Sequence, residues 1–115
     1  MTANEPRHRR YDLSLSEWQG SLLRELDRDM VALYDIIPVL RGDFGLNEDG
    51  LKAAAEACIA ALIERGAVVT EMPERYGSTP SDIASNIYQT WLRDGDEPIL
   101  YQTWFELPEP RAARQ

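Results

Sequence analysis

A chain of 115 residues is one domain's worth, long enough to bury a real core and too short for two. Hydrophobic residues make up 43% of it and fall in periodic segments, which argues against intrinsic disorder. Twelve basic against 20 acidic side chains leave a net charge of −8, a balance that repels polyanions and attracts basic partners, although solubility alone also accounts for it.

The charge is unevenly spread. Arg7, Arg9 and Arg10 precede the first expected element, and Arg111 and Arg114 follow the last. Between Tyr11 and Pro110 there are 7 basic and 19 acidic residues, a net of −12. Cys58 is the lone cysteine, so an intramolecular disulfide and a Cys-based zinc site are excluded. The N-terminus is polar and basic with no hydrophobic stretch behind it, and the longest apolar run, Ala57–Ile63, is too short to cross a bilayer. The expectation is a cytoplasmic protein without a membrane association.

In chain order, residues 1–10 lack apolar periodicity and are expected to form a flexible basic tail ahead of a single domain over 11–110. Ser14-Leu15-Ser16-Glu17 has the form of a capping box. Behind it Trp18, Leu22 and Leu26 repeat every four residues, a first helix with one apolar face. Asp29 can cap a second helix, in which Val31, Leu33, Tyr34, Ile36, Ile37 and Leu40 fill most of the circumference and predict burial. Pro38 predicts a kink or an early end there. Asn47 then caps the clearest helix, with Leu51, Ala54, Ala55, Cys58, Ile59, Leu62 and Ile63 on one face and Gly66 as its stop. Its alanines allow a neighbouring helix to come close.

Ala67–Met72 reads as a strand ended by Pro73. Thr79-Pro80-Ser81-Asp82 opens a fourth helix, with Ile83, Ile87 and Trp91 along one face and Asp94-Gly95-Asp96 at its end. Leu100–Leu107 reads as a second strand, with Tyr101, Thr103, Phe105 and Leu107 on one side and Leu100, Gln102, Trp104 and Glu106 on the other. Pro108-Glu109-Pro110 ends it, and residues 111–115 are expected to be disordered. The predicted fold is α+β and mostly helical: a winged-helix-like three-helix core with a two-stranded antiparallel sheet and an extra helix inserted in the wing.

The span Met30–Leu107 resembles a family of small, uncharacterised bacterial winged-helix-like proteins. The likeness rests on the helix end and strand start Leu62-Ile63-Glu64-Arg65-Gly66-Ala67-Val68, on the tryptophan-bearing helix Ile83–Trp91, on the turn Gly95-Asp96-Glu97-Pro98 and on the terminal strand Trp104-Phe105-Glu106-Leu107. These are core and turn positions, so the resemblance implies a fold and carries over no catalytic residue.

No catalytic constellation is visible. The only histidine, His8, stands in the tail, and a phosphate loop, a nucleophile elbow and a Cys–His pair are all missing. Gly45-x-Asn47-x-Asp49-Gly50-x5-Glu56 approaches a calcium loop but lacks its first carboxylate and puts Lys52 at a hydrophobic position. No catalytic residue, cofactor or metal is therefore expected. The long third helix carries Glu48, Asp49, Glu56 and Glu64 against Lys52 and Arg65, a poor surface for phosphates. Sequence-specific DNA recognition is not expected, although a winged-helix transcriptional regulator using the Arg-rich tail is the alternative function. The function expected first is a non-enzymatic acidic protein-binding module, of immunity or regulatory type, for a basic partner. A subunit of a larger assembly is a third reading. Trp104, flanked by Gln102 and Glu106 on the wetter strand side, is the expected partner-binding anchor, whereas Trp18 and Trp91 are expected in the core.

Overall fold

The computed structural model of the protein describes residues 7–69, 77–97 and 99–108. These form an α+β fold, mostly helical, with one small antiparallel sheet. Helix α1, Leu15–Arg28, starts from Ser14 as expected. The Ser14 hydroxyl accepts from the Glu17 N–H at 3.1 Å, and the Glu17 carboxylate accepts from the Ser14 N–H at 2.8 Å. Trp18, Leu22 and Leu26 form its buried face.

Asp29 does not open a second helix but closes the first. Its N–H donates to the Glu25 carbonyl at 2.8 Å, and its carboxylate takes the Met30 N–H at 2.7 Å. The expected second helix is instead three short pieces: strand β1 (Val31–Ala32), a 3-10 turn (Leu33–Asp35) and a π-helical turn (Val39–Asp43). Backbone competition explains this. Ala32 N–H is taken by the Asp35 carboxylate at 3.0 Å, Leu33 N–H by the Thr103 carbonyl at 2.9 Å, and Pro38 has no N–H to give. β-Branched Val31, Ile36 and Ile37 add weak helix preference. The expected burial holds for Val31, Leu33, Ile36, Ile37 and Leu40, and fails for Tyr34, which is exposed.

Helix α2, Glu48–Glu64, packs most extensively against α3, Pro80–Asp94. Asn47 stands at the start of α2 without a capping side-chain bond. Gly66 ends the helix at φ +115°, in the left-handed region that favours glycine. Thr79 caps α3 by accepting the Asp82 N–H at 3.1 Å, with Pro80 at the first position.

The sheet has three strands rather than two. Strand β3 (Trp104–Glu106) lies in the middle, antiparallel to both β1 and β2 (Val68–Val69). Val68 stands opposite Glu106 and Val69 opposite Phe105, so the expected pairing of the two strand segments is present; 70–72 lie outside the described residues. The expected strand Leu100–Leu107 is shorter than its alternation suggested, because Ile99–Gln102 form a helical turn, α4. The inner face of the sheet is one row, Val31–Phe105–Val69, buried throughout in the core with α1, α2 and α3.

The last four residues of the expected tail belong to the fold. His8 is 6% exposed, its Nδ1 accepting the N–H groups of Arg10 and Tyr11 at 3.1 and 3.2 Å and its Nε2 lying 3.3 Å from Asp43 Oδ2. The imidazole packs edge-on to Phe44 at 5.4 Å. Arg9 lies over Gly45 (φ +71°), where a Cβ would come within 2.6 Å of its guanidinium. Residues 1–6 and the expected disordered segment 111–115 lie outside the described residues.

Candidate functional site

Opposed residues of an antiparallel pair put their side chains on the same side of the sheet. Ala32 faces Trp104 and Val68 faces Glu106, which defines the outer side. Trp104 and Glu106 are half-buried, and Val68 is 41% exposed. Continuing the β1 register by one residue sets Met30, 40% exposed, on the other flank of Glu106.

Beside this face the 3-10 turn and α4 meet. Tyr34 and Tyr101, 47% and 51% exposed, stack with ring centroids 4.9 Å apart and an interplanar angle of 29°. The Trp104 indole N–H donates to the Tyr101 carbonyl at 3.0 Å, which ties the indole to that corner. Partial desolvation of the Tyr101 hydroxyl, then Tyr34 and the charges of Glu97 and Asp96, hold it above its ordinary pKa. Among the described residues, four of the six exposed large hydrophobics lie on or beside this face: Met30 and Val68 flank Glu106, and Tyr34 and Tyr101 stack at the corner that Trp104 joins.

Of the three residues singled out from the sequence, Trp104 and Glu106 share this face. Gln102 is exposed, but it ends α4 and is not placed there by strand alternation. Strand alternation puts Tyr101 on the inner side and helical periodicity puts Tyr34 in the core, yet both are open. Their exposure follows from turns that alternation and helical periodicity do not describe. Trp18 and Trp91 are buried in the core as expected.

A second aromatic–charge cluster closes the end of α3. The Trp91 indole N–H donates to Asp96 Oδ1 at 3.0 Å, Arg41 approaches Asp96 Oδ2 at 3.3 Å, and the Arg41 guanidinium lies 5.6 Å from the Trp91 ring. Hydrogen bonds from Trp91 and then from Arg41 hold the Asp96 carboxyl below its usual range. This cluster joins α3 to the π-helical turn and is occupied by the chain's own groups.

Burial pushes the Cys58 thiol up to about 12, so it stays protonated and is a poor nucleophile. The calcium-loop candidate is helical from Glu48 onward, and Glu56 pairs with Lys52 at 3.0 Å. Among the described residues no three His, Cys, Asp or Glu side chains gather where they could hold a metal ion, and no helix is long and apolar enough to cross a membrane. Comparison with protein-family models, with curated proteins and with solved structures returns no match.

Proposed function

We propose that the protein is a non-enzymatic module of winged-helix-like build that binds a basic partner protein through the outer face of its sheet. One observation carries this reading: in a chain of net charge −8, exposed Met30 and Val68 flank Glu106 on the outer sheet face, and the exposed Tyr34–Tyr101 stack adjoins the half-buried Trp104. Exposed aromatics that lose water on contact supply binding energy, and surrounding charges steer encounter and select the partner's sign. An immunity or regulatory protein that masks a basic surface has this combination. The winged-helix-like reading is supported by the order helix, short strand, compact turns, long helix and two strands, with α3 and α4 inserted between β2 and β3.

Duplex DNA fits the same build poorly. On the long helix α2 Lys52 pairs with Glu56, and Arg65 just beyond it pairs through Nε with Asp27 at 3.2 Å, so both cations are already neutralised. In the N-terminal segment Arg7 pairs with Asp12 at 2.7 Å.

Site-specific photo-crosslinking tests the proposal. Benzoylphenylalanine in place of Tyr101 should crosslink a protein of basic isoelectric point in the source cells. The same group in place of Leu92, which is 59% exposed on α3, should not. Equal crosslinking at both positions, or an acidic product at Tyr101, would overturn it.

A further inference from the structure

We propose that the Tyr34–Tyr101 stack, with Trp104 beside it, is the seat for an arginine side chain of the partner. This deepens the protein-binding reading above and rests on it. Each tyrosine has about half its surface open beyond the stack, at 47% and 51%. The indole N–H of Trp104 is already spent on the Tyr101 carbonyl, so this corner offers aromatic surface rather than a donor. Asp35 follows Tyr34 directly in the 3-10 turn, its Oδ2 holding the Ala32 N–H at 3.0 Å, so it contributes negative charge near the corner rather than a carboxylate aimed at the rings. Desolvation and then Tyr34 raise the Tyr101 hydroxyl pKa most, and the charges of Glu97 and Asp96 add to it, so negative charge lies within reach of this corner. Flat aromatic surface edged by carboxylate is what a guanidinium uses best, because it stacks through its plane while its N–H groups fork toward oxygen. An ammonium is compact and more strongly hydrated, and gains less from such a surface.

Among the described residues a similar arrangement occurs at Trp91, satisfied by the chain's own arginine. Arg41 lies 5.6 Å from the Trp91 ring and reaches Asp96 at 3.3 Å. At the Tyr34–Tyr101 corner, among the described residues, no arginine of the chain lies over either ring; the two guanidinium–ring contacts are at Tyr11 and Trp91. The Tyr34–Tyr101 corner thus has open aromatic surface in a negative field, with no guanidinium over it among the described residues.

Two blocked peptides, identical except that arginines in one are lysines in the other, read the preference directly. Titration followed by aromatic NMR should shift the Tyr34 and Tyr101 ring resonances. The arginine peptide should bind roughly threefold tighter, the size of an exposed cation–π contact. Tyr34→Ala or Tyr101→Ala should erase that preference with the circular dichroism unchanged, and Tyr101→Phe should keep it, since the ring and not the hydroxyl does the binding. Equal affinity for the two peptides, or a preference that survives in the Tyr34→Ala/Tyr101→Ala double variant, would overturn the arginine seat. The crosslinking experiment asks whether the face takes a partner at all, and the peptides ask only which cation it prefers, so either can fail alone.

Discussion

The two sides of the sheet are made of similar residues and meet different surroundings. Val31, Phe105 and Val69 on the inner side are buried in the helical core. Met30, Val68 and Trp104 on or beside the outer side stay partly open, with Glu106 among them. Strands of two or three residues are not stable alone and depend on helices packed against one face. The inner row is therefore explained by folding. The outer apolar groups are not, because area that remains in water contributes nothing to the burial term. That difference turns an ordinary hydrophobic composition into a functional argument.

The largest expected effect tests the inner side. Phe105→Ala removes a fully buried ring from the middle strand and should cost about 3–5 kcal/mol, read as a lowered urea midpoint. A loss under about 1 kcal/mol, the scale of a surface substitution, would mean the inner row is not the centre of the fold.

The next effect is at the edge of the same core, where the N-terminal segment docks. His8→Ala leaves the Arg10 and Tyr11 N–H groups without their acceptor and should cost about 1–3 kcal/mol. His8→Asn puts a carbonyl oxygen near the position of Nδ1 and should recover part of the loss. If the alanine and asparagine variants unfold at the same denaturant concentration, the acceptor role of Nδ1 is not what holds the segment.

How much of this was legible follows from how local the determining contacts are. Helices α1 and α3 announce themselves because their caps lie within four residues, Ser14 with Glu17 and Thr79 with Asp82. Helix α2 is marked by its apolar period and by Gly66. The apolar residues from Asp29 to Asp43 fit a buried helix equally well, while the segment's conformation is decided by Thr103 and β3, more than half the chain away. His8 reads as part of a tail for the same reason: its burial depends on Asp43 and Phe44. At the candidate site, β3 alternation placed Trp104 and Glu106 together. Tyr34 and Tyr101 were invisible, since a 3-10 turn and a single helical turn present residues with neither period.

On the outer side the expected change in stability is small. Trp104→Ala should cost about 1 kcal/mol or less, because the indole is only half-buried and its one hydrogen bond lies at the surface. Acrylamide quenching of single-tryptophan variants, with phenylalanine at the other two positions, should be strongest for Trp104 and weak for Trp18 and Trp91. Should Trp104 prove as shielded as Trp91, the two sides of the sheet are not different in the way the docking proposal needs.

The smallest effect is a pH dependence at the end of α3. Asp96 is the carboxylate that fixes Trp91, and its pKa lies below the ordinary 3.8 because the Trp91 N–H and then Arg41 favour its charged form. A carboxyl whose folded pKa is depressed binds its proton more readily in the unfolded chain. Its contribution is therefore complete above about pH 4 and is lost as the pH falls through the folded value. The group is solvent-exposed, which screens the interaction and keeps the effect slight. Asp96→Asn keeps the shape and an acceptor oxygen but removes the charge. The wild type should be the more stable of the two at pH 6, and the gap between their urea midpoints should narrow on acidification toward pH 3. A gap that stays constant across that range would show that ionisation of Asp96 is not the source of the stabilisation, and would separate the Arg41 cluster from the charged arrangement proposed for the outer face.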